Sequence, residues 1–168
     1  RGSDPAREVA YEVIREVAEQ DAYANLVLPP ALRRAHLKGR DAAFATELTY
    51  GTLRLRGRYD AVLARCLTRP LDQVDPPVLD VLRLGVHQVL GMRVPAHAAV
   101  SETVGLARAH VGAGSAQLVN AVLRKVAATP AEEWWQVLAA GETDDVARAA
   151  LLRSEERRVG KECRSRWS

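Results

Sequence analysis

The segment DPPVLDVLRLGVHQVLGMR, residues 75–93, constrains the fold more than any other part of the chain. Asp75 followed by Pro76 and Pro77 is a typical helix opening, because aspartate caps free backbone amides and proline fits the first turn. The apolar residues that follow form a wide stripe at helical spacing: Val78, Leu79, Leu82, Val86, Val89 and Leu90. We therefore predict a central buried helix around which the remaining elements pack.

Helical spacing of apolar residues recurs along the rest of the chain, and no segment alternates as a strand would. Asp4 and Pro5 predict the start of a first helix, and Pro29 and Pro30 predict a kink or a restart after Leu28. Further helices are predicted to start near Asp41, Tyr59, Pro95 and Ser115, with Asp41 and Ser115 as caps. The prediction is an all-α domain of about seven helices.

The character of the sequence changes after residue 127. Residues 128–152 contain Trp134 and Trp135, which allow one more short helix, and then a run of glycine, threonine and acidic residues typical of a linker. We therefore predict a domain over residues 1–127 and a linker over 128–152.

The last 16 residues, RSEERRVGKECRSRWS at 153–168, differ from the rest. They hold six basic and three acidic residues, so the net charge of +3 lies in them and residues 1–152 are balanced. They contain no alanine, no leucine and no apolar period, and they match the translation of a common short-read sequencing adapter. We interpret residues 153–168 as non-native.

Within residues 1–152, basic residues concentrate between residues 33 and 69, a segment that contains nine basic and three acidic residues. Arginine in exposed turns donates paired hydrogen bonds to phosphate, and a tyrosine stacks on an unpaired base. The predicted RNA-binding residues are Arg33, Arg34, Lys38, Arg40, Arg54, Arg56, Arg58 and Tyr59. The alternative interpretation is that they are solvated helix ends.

The residues that catalysis or metal binding requires are not grouped. The four histidines are scattered, Cys66 and Cys163 stand alone, and Cys66 is predicted to be a buried apolar residue. The segment VGAGSAQ, residues 111–117, lacks the third glycine and the preceding strand of a dinucleotide site, so it is predicted to be a turn. We predict no catalytic, cofactor-binding or metal-binding residue, no membrane span and a cytoplasmic protein.

The order of four segments resembles one known family. These segments are DAYANLVLPPAL, GRDAAFATELTYGTLRLRGRYDAVL, DPPVLDVLRLGVHQVLGMRVPAHAAVSETVGLAR and GAGSAQLVNAVLRKVA. Together they are similar to the N-terminal NusB-like domain of bacterial 16S rRNA cytosine-C5 methyltransferases of the RsmB (Sun) type. The resemblance implies two small helical subdomains that bind RNA, in intact enzymes followed by a domain that binds S-adenosylmethionine.

The resemblance also implies what this chain does not contain. The cofactor loop and the two catalytic cysteines of the family have no counterpart here, since Cys66 lies in a helix of the other domain and Cys163 in the last 16 residues. The expected function is therefore recognition of RNA, with 16S rRNA as the partner, and not methyl transfer by this chain alone.

Two alternatives remain open. One is a free-standing antitermination factor of the NusB type, although the first helix of such proteins is usually rich in arginine and here it is acidic. The other is a helical protein-interaction domain with no role in RNA binding.

Overall fold

The computed structural model describes residues 2–141, and over these residues the protein is all-helical. Residues 2–141 form eight α-helices, one 3₁₀ turn (Leu71–Gln73) and one π-helical turn (His87–Gly91). The helices are α1 (Pro5–Gln20), α2 (Ala24–Arg34), α3 (Gly39–Arg54), α4 (Arg56–Cys66), α5 (Pro76–Val86), α6 (Ala96–His110), α7 (Ala113–Ala127) and α8 (Ala131–Gly141). The predicted all-α fold is confirmed.

The helix starts agree with the sequence only in part. The Asp4 carboxylate accepts a hydrogen bond from the Arg7 amide at 3.2 Å, so α1 begins as predicted. Asp41 and Ser115 are not caps, because α3 begins after Lys38 and α7 after Gly112, whose φ of 123° suits glycine. The prolines at 29 and 30 do not interrupt α2, which runs from Ala24 to Arg34.

Helix α5 is the centre of the molecule, as its apolar stripe predicts. Every one of its residues from Val78 to Val86 is buried. It packs against α1, α3, α4, α6 and α7, and Gly85 lets the Leu123 side chain of α7 approach the backbone closely. Helices α1, α2 and α3 pack on one another, while α4, α6 and α7 surround α5, and both groups share one hydrophobic core.

Helix α8 corrects the predicted linker. Trp134 and Leu138 are buried in the same core as the other helices, and the Trp134 indole N–H donates to the Val126 carbonyl at 3.0 Å. The packed domain therefore extends past residue 127, at least to the end of α8. Residues 142–152, the rest of the predicted linker, and residues 153–168, interpreted as non-native, lie outside the described residues.

Candidate nucleic-acid interface

Four of the predicted RNA-binding residues lie together at the junction of α2 and α3. Arg33 and Arg34 are in the last turn of α2, Lys38 caps α3, and Arg40 is in its first turn. All four side chains are exposed, and within residues 2–141 none of them forms an ion pair. We call this group the α2–α3 patch.

The backbone around the α2–α3 patch adds to its positive potential. His36 and Gly39 both have a φ of 55°, and these left-handed residues turn the chain sharply between the two helices. Lys38 makes no capping hydrogen bond through its side chain. The first amides of α3 and its positive dipole end therefore lie beside Lys38 and Arg40, an arrangement that attracts anions.

The other three predicted arginines lie at the junction of α3 and α4, and two of them contact protein groups. Arg54 is exposed at the end of α3. The Arg56 Nε atom is 3.9 Å from a carboxylate oxygen of Asp60. The Arg58 guanidinium lies 4.9 Å from the centre of the Trp135 ring of α8, a cation–π contact.

The predicted set is thus two patches rather than one. From Arg40 to Arg54 is fourteen residues of a continuous helix, which corresponds to about 21 Å along its axis. The α2–α3 patch is the more available to a ligand, because its four cations have no partner within the described residues.

Tyr59 is not available to stack on a base, and this part of the prediction is wrong. Its side chain is fully buried, and its hydroxyl is 2.6 Å from His87 Nδ1. The reason is its helical phase, since Tyr59 lies on the same face of α4 as Val62, Leu63 and Cys66, which pack into the core. Cys66 is buried as predicted, and burial raises the pKa of its thiol.

A buried polar chain joins Tyr59 to the surface through His87. His87 Nε2 is 3.3 Å from a carboxylate oxygen of Glu47, which can only accept, so the neutral ring carries its proton on Nε2. His87 Nδ1 then accepts a hydrogen bond from the Tyr59 hydroxyl. Burial lowers the pKa of His87 despite the opposing charge of Glu47. His87 begins the π-helical turn, and its ring fills the space that a side chain at Gly51 or Gly91 would need.

The depressed pKa of His87 predicts a loss of stability in mild acid. The unfolded chain binds the proton near the ordinary histidine pKa of about 6.5, whereas the folded chain resists it. The contribution of the neutral His87 to the free energy of unfolding is therefore fully present above about pH 6.5 and decreases as the pH falls below it. Urea unfolding between about pH 5 and 7 measures this slope, which should be smaller in His87→Gln.

The matched control for this pH dependence is His36→Gln, because His36 is exposed. We expect the slope of unfolding free energy against pH to decrease more in His87→Gln than in His36→Gln, because the His87 ring is buried. A slope that His36→Gln and His87→Gln reduce equally would contradict the assignment to His87.

A network of ion pairs connects α1 and α5 to Arg56 at the start of α4. The Asp80 carboxylate accepts from Arg15 at 2.7 Å and from Arg83 at 2.9 Å. Arg83 also donates twice to Asp60, at 2.6 and 3.0 Å, and Asp60 in turn faces Arg56. Asp60 and Asp80 raise the pKa of Arg83 against the effect of burial, which alone would lower it.

One basic surface was missed by the sequence analysis. A groove of about 630 Å³ lies between α6 and α7. Among the described residues its lining includes Val100, Val104, His97, Arg108 and Arg124 but no carboxylate. From His97 to Arg124 is 27 residues, so a charge count over one continuous segment does not detect this group. The antiparallel contact of α6 with α7 brings them together.

No group of three histidine, cysteine or acidic side chains suitable for a metal occurs within residues 2–141. Only Val111 and Gly112 connect α6 to α7, and residues 113–117 of the predicted turn already belong to α7. None of the helices in the described part of the chain is long and apolar enough to span a membrane.

These observations define a class of protein: an all-helical domain with a buried central helix and cationic turns. Within that class the chain belongs to the NusB family, whose model matches residues 4–128. The likeness to solved structures agrees with this fold. Thermotoga maritima NusB superposes with a TM-score of 0.68 at 18% identity, over 81% of this chain and 99% of that one. A chain in the crystal structure of a plectonemic RNA supercoil superposes with a TM-score of 0.67 at 19% identity, over 73% of this chain and 91% of that one.

Relatives of known sequence are longer proteins. Rv1407 of Mycobacterium tuberculosis (strain H37Rv), which its name places among methyltransferases, is 48% identical over 94% of this chain and 35% of its own length. Ribosomal RNA small subunit methyltransferase B of Pseudomonas putida is 34% identical over 86% of this chain and 32% of its own length. The chain thus spans about a third of these relatives.

Proposed function

We propose that this chain is the RNA-binding domain of a 16S rRNA cytosine-C5 methyltransferase and acts in the cytoplasm. The α2–α3 patch carries this proposal, because four exposed cations without partners in the described residues lie beside a helix N-terminus. The family and the rRNA methyltransferases among the relatives support the choice of RNA over other polyanions.

Methyl transfer is assigned to a part of the protein outside this domain. The intact enzyme would take the methyl group from S-adenosylmethionine, but residues 2–141 provide neither a strand-to-helix glycine loop nor an exposed cysteine for attack on cytosine. What these residues supply is binding and orientation of the RNA. Their contacts are to phosphates, which position an RNA without reading its sequence.

The proposal is tested by anisotropy of a fluorescent 16S rRNA hairpin bound to the chain at several salt concentrations. We expect tight binding at low salt, and alanine at Arg33, Arg34, Lys38 and Arg40 together should weaken it about tenfold or more. The slope of log affinity against log salt should fall by roughly 0.7 to 0.9 for each phosphate that the variant no longer neutralises.

The matched control removes the same charge from elsewhere on the surface. Arg65, Arg69, Arg93 and Lys125 are also exposed and lie outside both the α2–α3 patch and the α6–α7 groove, and their joint replacement by alanine should cost much less affinity. An equal decrease in affinity for this control set would contradict the α2–α3 patch as the interface. Absence of any salt-dependent binding by the unchanged chain would contradict the proposed function itself.

An antitermination role of the NusB type has weaker support. The likeness to Thermotoga maritima NusB at 18% identity concerns the fold alone. The exposed side of α1 carries Glu12, Glu16 and Glu19, and such a surface repels RNA. If the chain has no affinity for RNA, the result would favour the alternative of a helical protein-interaction domain.

A further inference from the structure

The exposed side of α2 is unusually apolar. Tyr23, which caps the helix, is 40% exposed, and Leu26 in its first turn is 63% exposed. Among the described residues, only Val137 shares with them the combination of a large apolar side chain and such exposure. Two of these three exposed side chains, Tyr23 and Leu26, therefore lie three residues apart at the start of α2.

The helical phase of α2 explains this exposure. Ala24, Leu28 and Ala31 are buried against the core and lie on one side of the helix. At about 100° per residue, Leu26 and Arg33 lie on the opposite side, and the exposed Pro29 lies near them. Tyr23, Leu26, Pro29 and Arg33 thus form one continuous surface, which we call the α2 stripe.

The charge of the α2 stripe has one sign. Helix α2 contains no aspartate or glutamate, and Arg33 and Arg34 lie in its last turn. From Tyr23 to Arg33 is ten residues, or about 15 Å along the helix axis. An exposed aromatic ring at one end and phosphate-binding cations at the other are the two parts of a single-strand binding surface.

On the basis of the proposed function, we propose that the α2 stripe binds unpaired nucleotides of the RNA. The Tyr23 ring stacks on a base, Leu26 and Pro29 cover the apolar faces beside it, and Arg33 and Arg34 bind the adjoining phosphates. Tyr23 therefore has the role that the sequence analysis gave to the buried Tyr59. The α2 stripe distinguishes single-stranded from fully paired RNA, which the α2–α3 patch alone would not do.

The ligand of the α2 stripe is RNA rather than protein, because the exposed apolar area is small and the charge beside it is positive. A stable protein interface covers roughly 800 Å² on each partner, and two partly exposed apolar side chains are far less than that. Base stacking needs only one ring face, and the cations of the α2–α3 patch continue the surface along the backbone of the same strand.

The experiment compares a single-stranded RNA with a duplex of equal length, both labelled with fluorescein. Tyr23→Ala should weaken single-strand binding about fivefold or more, since one stacked base contributes that much, and should leave duplex binding unchanged. The salt slope should stay the same, because no charge is removed. Tyr23→Phe keeps the ring and should restore the affinity to within about twofold.

Photocrosslinking with 4-thiouridine gives a readout that a purely structural role of Tyr23 would not move. We expect the crosslinked peptide to contain Tyr23, and circular dichroism of Tyr23→Ala to show an intact helical domain. If the unchanged chain binds single-stranded RNA and Tyr23→Ala binds it equally well, the α2 stripe proposal is overturned while the proposed function stands. A change of oligomeric state in Leu26→Asp with RNA affinity retained would also overturn it, in favour of a protein partner.

Discussion

Replacing Asp80 by alanine is expected to destabilise the domain by about 3 to 5 kcal/mol, because it takes one carboxylate partner from the buried Arg83 and from the half-buried Arg15. The Asp80 side chain is only 4% exposed and accepts hydrogen bonds from both Arg15 and Arg83. Arg83 would keep Asp60, but Arg15 would retain only the exposed Glu19. Helices α1, α4 and α5 are joined through these ions, so the substitution affects the centre of the fold.

Urea unfolding followed by circular dichroism measures this change. Glu19→Gln is the matched control, because it removes the other carboxylate that binds Arg15, at 2.6 Å but on the surface. An exposed pair of this kind contributes about 0 to 1 kcal/mol. Similar decreases in the free energy of unfolding for Asp80→Ala and Glu19→Gln would show that burial does not decide the strength of these pairs.

The sequence predicted the burial of α5 but not the ions within it. The apolar stripe and the proline opening were sufficient to place Val78 to Val86 at the centre, and all of them are buried. The same segment contains Asp80 and Arg83, which a wholly buried helix must pair with other charges. That signal was present in the sequence. Their other partners, Arg15 and Asp60, are far away in the chain and needed the packing of three helices to be found.

The sequence located the segment that carries the candidate interface, but it predicted neither its division into two patches nor which tyrosine is exposed. A charge count located the basic segment, but it carried no information on direction, so it joined two patches that lie at opposite ends of α3. The choice between tyrosines depended on helical phase. Tyr59 falls on the buried side of α4, whereas Tyr23 precedes α2 on its exposed side. The groove between α6 and α7 depends on a contact between helices that no local pattern contains.

A substitution in helix α8 is expected to cause the second large decrease in the free energy of unfolding, and this measurement tests where the domain ends. Trp134→Ala is expected to destabilise the domain by about 3 to 5 kcal/mol, the usual range for a buried tryptophan. Trp134 is 7% exposed, packs in the common core and donates its indole N–H to the Val126 carbonyl. If residues 128–141 were part of a linker, the same substitution would have almost no effect on the free energy of unfolding.

Two further variants separate the contributions of α8. Trp134→Phe removes the hydrogen bond and keeps most of the ring, so it should cost about 1 kcal/mol plus a small packing penalty. Val137→Ala, on the exposed side of α8, should change the free energy of unfolding by less than about 0.5 kcal/mol. A graded destabilisation in the order Val137→Ala, Trp134→Phe, Trp134→Ala would place α8 within the cooperative unit. Because Arg58 rests on Trp135 of the same helix, detachment of α8 should also release that arginine from its ring contact.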